Sequence, residues 1–282
     1  MDSLEDFECS DHLVIEPLAQ LGWHAEEVSW KRTDCDWNQY DLVVIRSPWD
    51  YQQDFEHFLE VLQTIENSSA LLANSLDTVN WNINKKYLAE LESKGIEIVP
   101  TLWRNSLTAD ELPKLFEHFA TDEIIIKPCV SANADDTFRL TRSRLAEFSD
   151  TLITLFSNRD CMIQPFMSSV IEEGEFSLFY FNHQYSHAIL KVPSSGDFRV
   201  QEEHGGQLQK IEPEALLKEQ AEKTLAAIGS ELLYARLDYV RTETGFALME
   251  AELIEPSLYF NLDADSPKRF AEAINNGVRV KK

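Results

Sequence analysis

The sequence predicts an α/β protein in which strands and helices alternate in the first third and strands dominate later. Three observations carry this. Apolar residues at helical spacing in 12–21 and 55–65 flank a short apolar run, Asp41-Leu42-Val43-Val44-Ile45-Arg46. Four runs rich in β-branched and aromatic residues follow one another over 162–202. Finally, Arg236-Leu237-Asp238-Tyr239-Val240 and Leu248-Met249-Glu250-Ala251-Glu252 flank Thr242-Glu243-Thr244-Gly245, a turn-forming sequence expected at a hairpin tip.

In chain order, a helix over 12–21 is expected to stop at Gly22, because glycine readily takes the backbone conformation that ends helices. A buried strand over 41–46 leads into Arg46-Ser47-Pro48-Trp49-Asp50-Tyr51. A helix over 55–65 and a strand over 70–73 complete a small doubly wound unit, in which loops after strands carry ligands. No strand precedes the first helix. The pattern then changes near Asn80. A helix over 84–93 opens with Lys85 and Lys86, and a strand over 123–128 ends in Lys127-Pro128, with 137–140 as its return. A helix is expected over 142–156, then strands over 162–166, 175–181, 185–192 and 198–202, with Asn182-His183 as a tight turn. A helix over 212–228, the hairpin and a helix over 267–276 close the chain.

Composition narrows the function classes. The net charge is −24, from 49 acidic against 25 basic residues, a field that repels nucleic acid and anionic membrane. Cys9, Cys35, Cys129 and Cys161 form no CxxC pair, so neither structural zinc nor a disulfide framework is expected. No run of about 18 apolar residues suggests a membrane span. The acidic start, Met1 to Glu8, does not resemble a signal peptide, and the expected location is cytoplasmic.

The hairpin carries the sharpest chemistry. With its turn centred near Thr244, Asp238 lies opposite Glu250 and Arg236 opposite Glu252, all on one face. Leu237, Tyr239, Met249, Ala251 and Leu253 take the other, apolar face. Facing carboxylates repel, and a divalent cation with hard oxygen ligands would relieve them. The alternative is a solvated face with an Arg–Glu pair. Lys127 ends an apolar run, so its ammonium needs either solvent or an anion such as phosphate. Lys85 at a helix start is disfavoured by the dipole unless an anion is near. Gln164-Pro165-Phe166-Met167 with Gly174-Glu175 fits either ordinary sheet and loop or a base-and-ribose contact. Gly196-Asp197-Phe198-Arg199 and His204-Gly205-Gly206 offer close backbone approach and a guanidinium fork, or merely a surface turn. There is no GxxxxGK[ST], GxGxxG or GxSxG motif, and no sign of an activated cysteine.

Taken together, these motifs resemble the ATP-grasp superfamily, most closely the glutathione-synthetase-like branch that includes the D-cycloserine-forming ligase. They occur in its order: Asn82-Ile83-Asn84-Lys85-Lys86-Tyr87-Leu88, Ile126-Lys127-Pro128, Gln164-Pro165-Phe166 with Gly174-Glu175, the Arg199 and His204 segments, Arg236-Leu237-Asp238, and Glu250-Ala251-Glu252. The resemblance implies an ATP-grasp fold with an N-terminal doubly wound pre-ATP-grasp domain over 1–80. It further implies a small ATP-grasp lobe over 81–160 and a large lobe over 161–282 with the metal site. By resemblance, Lys85 and Lys127 hold ATP phosphates, Gln164, Pro165, Phe166 and Met167 line the adenine, and Glu175 meets the ribose. Asp238, Glu250 and Glu252 bind two magnesium ions, manganese being the alternative metal, and Arg199 and Arg236 steady an acyl phosphate.

Arg46, Ser47, Trp49, Tyr51, His204, Gly205 and Gly206 are the substrate-side candidates. The implied partners are a small acid and an amine, with a homodimer compatible with the branch. The implied activity is carboxylate–amine ligation. A small-molecule kinase and a non-catalytic nucleotide-binding protein are the alternatives. The chain departs from the superfamily in having Glu252 where asparagine is common. It also has a glycine-free phosphate lid at Cys129-Val130-Ser131-Ala132-Asn133-Ala134-Asp135-Asp136-Thr137, and it lacks the first strand.

Overall fold

In the N-terminal lobe, strand β1 (Leu42–Val44) pairs in parallel with β2 (Leu71–Ala73). The computed structural model describes residues 1–4, 7–131, 135–194, 196–200 and 205–277. Helix α1 (Ile15–Gln20) follows a short 3-10 turn and ends before Gly22, whose φ is +88°. Helix α2 (Phe55–Glu66) is capped by Asp54, which accepts from the His57 amide. It buries Phe58, Leu62 and Ile65 against Trp30, Trp37, Ile45 and Leu72. Among the described residues no strand precedes α1.

Helix α3 (Leu76–Asn82), capped by Ser75, was not expected, and the helix expected over 84–93 forms only as α4 (Tyr87–Ser93). Lys85 therefore lies in the turn between two helices, not inside one.

A four-stranded antiparallel sheet follows, built from β3 (Leu102–Arg104), β4 (Glu123–Pro128), β5 (Phe138–Thr141) and β6 (Cys161–Pro165) in the order β3-β6-β4-β5. Helices α5 (Leu112–His118) and α6 (Leu145–Leu155) cover one face and bury Leu115, Phe116, Leu152 and Phe156 against Ile124, Ile126 and Ile163. This sheet runs past residue 160, because β6 is its second strand.

The short α7 (Ser169–Glu172) links it to a five-stranded antiparallel sheet of β7 (Glu175–Phe181), β8 (Gln184–Val192), β9 (Gln207–Ile211), β10 (Tyr234–Arg241) and β11 (Phe246–Glu252), ordered β11-β10-β7-β8-β9. Asn182 and His183, both at positive φ, turn β7 into β8. The strand expected over 198–202 does not form at 198–200, and 201–202 lie outside the described residues. Instead β9 begins at Gln207, so 198–200 face the cleft as irregular chain.

One face of this sheet packs Leu178, Tyr180, Leu237 and Tyr239 against Leu217, Ala221 and Leu225 of α8 (Ala215–Ile228). The opposite face is divided. Phe179 and Phe181 meet Phe270 and Ile274 of α9 (Ser266–Gly277), whereas on the same face of β7 Glu175, four residues before Phe179, lines a cleft, and the buried Ser177 between them bonds Asp238.

Candidate active site

The cleft lies between the two large sheets, has a volume of about 860 Å³, and brings together residues from all three parts of the chain. Its charged floor is the face of β7, β8, β10 and β11 that the hairpin pattern anticipates. The register pairs Arg236 with Glu252 and Asp238 with Glu250, as expected. A β-bulge between Asp238 and Tyr239 then shifts the count, so Tyr239 faces Leu248 and Met249 is the extra residue. Met249 consequently leaves the apolar face and lines the cleft, a correction to the expected alternation.

The facing carboxylates are neutralised by cations of the chain itself. Lys85 Nζ reaches Glu250 at 2.7 Å and donates to the Ser131 carbonyl at 2.8 Å. Arg236 grips Asp238, with Nη2 at 3.0 Å, and also pairs with Glu252. Ser177 donates to Asp238 Oδ1 at 2.5 Å. Lys191 lies 2.8 Å from Glu175 and 3.5 Å from Asp238.

Burial works against every one of these charges, and the partners decide the outcome. Arg236 above all holds the Asp238 carboxyl below its usual range, and Lys85 does the same for Glu250. For Glu252 burial wins over Arg236 and pushes the carboxyl up to about 7. Burial also raises Glu175, against the pull of Lys191. Lys127 differs from its neighbours. Burial lowers its ammonium, and no carboxylate of the described residues lies within ion-pairing distance of it.

The position of Lys85 follows from the edge of the sheet. β11 is an edge strand, and its free backbone groups are bound by side chains from the segment around Lys85. Asn82 donates to the Ala251 carbonyl at 2.8 Å and accepts from the Leu253 amide at 3.0 Å, while the Tyr87 hydroxyl accepts from the Ala251 amide at 2.8 Å. These contacts fix the turn carrying Lys85 beside Glu250.

The other end of the cleft is apolar. Pro165, Phe166 and Met167, where the chain leaves β6, line it with Ile125, Val99 and Val170. Gln164 is buried and donates to Thr101 at 2.9 Å. Arg139 stacks over Phe166 with its guanidinium carbon 3.8 Å from the ring centre. Arg199 lines the cleft, half exposed, and pairs with Asp197 at 2.8 Å.

Of the expected substrate-side residues, Trp49, Tyr51 and Gly206 line the cleft. Arg46 and Ser47 do not; they line a separate cavity beneath the N-terminal lobe, where Arg46 pairs with Asp11 at 2.9 Å and donates to the Pro256 carbonyl at 3.0 Å. Gly205 is not part of the cleft wall, and His204 lies outside the described residues, as do residues 132–134 of the expected lid. Cys129 and Cys161 are buried thiols pushed up to about 11 and about 12, so neither is activated.

Lys191, Ser177 and Glu255 are the site residues that the sequence reading missed. Counting back from the Asn182-His183 turn puts Leu190 opposite Glu175, but a bulge between Phe179 and Tyr180 advances the register by one and delivers Lys191 instead.

Asp238, Glu250 and Glu252 supply only hard oxygen donors, which suit magnesium. Among the described residues no three acidic, histidine or cysteine side chains already converge as a metal cage. The set fits an ion that arrives with an anionic ligand, since Lys85 and Arg236 can then turn from the carboxylates to that anion.

A four-stranded sheet and a five-stranded sheet clasping a cleft of lysines and facing carboxylates make up the ATP-grasp fold. The sequence and structure of the chain are similar to those of D-cycloserine synthetase. Residues 1–74 match the family described as the N-terminal domain of D-cycloserine synthetase DcsG. The cycloserine biosynthesis protein DcsG of Streptomyces lavendulae is 29% identical over 280 residues, covering 93% of this chain and 91% of that protein. The crystal structure of D-cycloserine synthetase DcsG superposes with a TM-score of 0.83 at 28% identity, over 95% of each chain. The ATP-grasp ligase PsnB, solved with a phosphomimetic precursor variant, Mg and ADP, shares the fold at a TM-score of 0.65 and 17% identity, over 97% of this chain and 94% of that one. Among the described residues no helix is long and apolar enough to cross a membrane.

Proposed function

We propose that this chain is an ATP- and magnesium-dependent carboxylate–amine ligase that works through an acyl phosphate on a small amino-acid-like or peptide-like substrate. The observation that carries the reading is Lys127, a cleft-lining ammonium with no carboxylate partner among the described residues, surrounded by cations that are all paired. A polyphosphate supplies the missing anion.

In this reading the adenine lies on the wall of Gln164 to Met167, and Glu175 meets the ribose. Lys85, Lys127 and Lys191 hold the phosphates, while Asp238, Glu250 and Glu252 hold two magnesium ions, with manganese as a substitute. Magnesium would add positive charge at the transferring phosphoryl group. The substrate carboxylate attacks the γ-phosphorus, the bond to the ADP oxygen breaks, and an acyl phosphate forms. The amine then attacks the carbonyl, inorganic phosphate departs and the amine loses a proton.

Arg236 and Arg199 steady the growing charge, so the work is positioning and electrostatics. Excluding water preserves the acyl phosphate. We assign residues 1–80 to the substrate-side unit, 81–160 continued through β6 to the small lobe, and the remainder to the large lobe. A homodimer is the assembly we expect.

The test is calorimetric titration with a non-hydrolysable ATP analogue, with and without magnesium, followed by phosphate-release assays over paired acids and amines. Magnesium-dependent binding, and phosphate release only when both acid and amine are present, is the expected result. Phosphate transfer to a hydroxyl, or nucleotide binding without turnover on any pair, would overturn it.

A further inference from the structure

Glu255 lies three residues beyond Glu252, just after β11 ends, and lines the same cleft. Its surroundings come from the N-terminal lobe. The Tyr51 hydroxyl lies beside its carboxyl, and Trp49 Nε1 donates to its backbone carbonyl at 2.9 Å. Phe7 packs on Trp49 with ring centres 5.3 Å apart, and Glu8 lies on the same cleft wall.

The charges that act most on Glu255 are Glu252, Lys85 and Glu250. Lys85 is already committed to Glu250 and to the Ser131 carbonyl. Arg46, a substrate-side candidate from this loop, is held elsewhere by Asp11 and the Pro256 carbonyl. Glu255 thus has a neutral partner, adjacent aromatic rings and no cation of its own among the described residues. Burial, with the charge of Glu252 behind it, pushes its carboxyl up to about 8. A carboxylate removed from water without a counter-cation is costly, and an incoming cation relieves that cost. Aromatic rings beside it favour an organic ammonium over a small hydrated ion.

The cleft is therefore divided by sign. Lys127 offers a cation without an anion at the phosphate end, and Glu255 a carboxyl without a cation, which an incoming ammonium would ionise, at the N-terminal-lobe end. A zwitterion fits only one way round, with its carboxylate toward the phosphates and its amine away from them.

We propose that Glu255, oriented by Tyr51, receives the ammonium group of the acid substrate and makes the enzyme specific for acids that carry an amine. The assignment rests on the ligase reading, which supplies the need for a carboxylate at the phosphate end.

The test titrates the full chain, loaded with magnesium and a non-hydrolysable ATP analogue, with free amino acids of both hands and with the same acids lacking the amine. At least one amino acid is expected to bind, and its desamino counterpart about tenfold or more weakly, the scale of one charge-assisted contact. Glu255→Gln should bring the amino acid down to the desamino level while nucleotide affinity stays unchanged. Glu255→Asp should restore part of the preference, and Tyr51→Phe should lose part of it. If Glu255→Gln does not fold, Tyr51→Phe carries the same comparison. Equal binding of amino and desamino acids, an undiminished preference in the variants, or no amino acid bound to the loaded protein would each overturn the proposal. Failure of the wild-type chain to bind nucleotide at all would instead remove the ligase reading beneath it.

Discussion

Replacing Lys127 with methionine separates two quantities that usually move together, stability and ligand affinity. Most charges in the cleft are paired, so deleting one strands another: Lys191→Met, for example, would leave Glu175 and Asp238 without the cation 2.8 and 3.5 Å away. Lys127 strands nothing, and its ammonium is disfavoured by burial in the free protein. Lys127→Met keeps an unbranched stem, one atom shorter, and removes that cost, so the free variant should melt at the same temperature as wild type or higher. Toward ATP it should lose one charge-assisted contact, about 1.5–3 kcal/mol. That converts to a roughly tenfold to hundredfold weaker Kd, at about 1.4 kcal/mol per decade. The assays are thermal unfolding of the free protein and calorimetric titration with the non-hydrolysable analogue plus magnesium. A variant that binds nucleotide as wild type does would refute the phosphate role. A variant that unfolds well below wild type would refute the claim that Lys127 lacks a partner in the free protein.

Three other perturbations follow from the geometry. Asp238→Asn keeps the size of the side chain but removes a hard anionic ligand, so magnesium should no longer strengthen nucleotide binding; an unaltered magnesium dependence would count against the metal assignment. Gly174 has φ +120°, and a Cβ there would lie 2.8 Å from the Lys191 carbonyl. Gly174→Ala should therefore cost about 1–3 kcal/mol, read as a melting temperature lower by about 2–4 °C per kcal/mol, and unchanged melting would disprove the close approach. The Glu255 carboxyl, ordinarily near 4.5, is raised to about 8 in the folded chain. The folded state then holds more protons than the unfolded one between those values, and stability falls as pH rises through that window. His187, lowered to about 4, acts oppositely below its ordinary 6.5, and Glu252, raised to about 7, adds a slope of the same sign, so the comparison is between wild type and Glu255→Gln over pH 6.5–8. There the melting temperature of free wild-type protein should fall with pH more steeply than that of Glu255→Gln; parallel slopes would show that Glu255 is not the group concerned.

The parts of the site legible in the sequence are those fixed by local alternation. The period of two along a strand puts Arg236 and Asp238 on one face, and centring the turn at Thr244 pairs them correctly with Glu252 and Glu250. That centre is not the true tip, where Arg241 pairs with Phe246; it gives the right partners because the bulge adds one residue between tip and site. The same kind of bulge in the β7–β8 hairpin hid Lys191, since bulges leave no pattern in apolar periodicity. Glu123–Pro128 and Glu175–Phe181 were readable to the residue because each is an unbroken β-rich run. The strand expected over 198–202 shows the limit. Phe198 and Val200 have strand-like character, but their apolar side chains face the cleft beside Phe166 and Val170, so no sheet neighbour is needed to bury them. Arg46 falls outside the cleft for a different reason: a loop arginine after a strand suggests a ligand, whereas this one lies over the Tyr234 and Phe270 rings and pairs with Asp11, 35 residues earlier in the chain.

Long-range side-chain contacts to backbone decide how the lobes meet, and no local pattern encodes them. Asn74, at the end of β2, accepts from the Leu233 amide at 2.8 Å and donates to the carbonyls of Tyr234 at 2.9 Å and Leu253 at 2.8 Å. It therefore ties the N-terminal lobe to the start of β10 and the end of β11, the strands that carry Arg236 and Glu252. Trp49 of the same lobe binds the Glu255 carbonyl just beyond β11, while Asn82 and Tyr87, at the start of the small lobe, bind Ala251 and Leu253. The N-terminal lobe is thus fastened at the end of the strand that bears the acidic side chains, so a change in that lobe should reach the metal and substrate residues. Asn74→Ala tests this. It strands three buried backbone groups at about 1–3 kcal/mol each, so it should destabilise the fold by at least about 3 kcal/mol. In the fraction that remains folded, magnesium-dependent nucleotide binding should weaken, while nucleotide binding without magnesium, which rests on Lys127 and the apolar wall, should be preserved. Loss of both together, or of neither, would mean that the lobe contacts support the fold without placing the carboxylates.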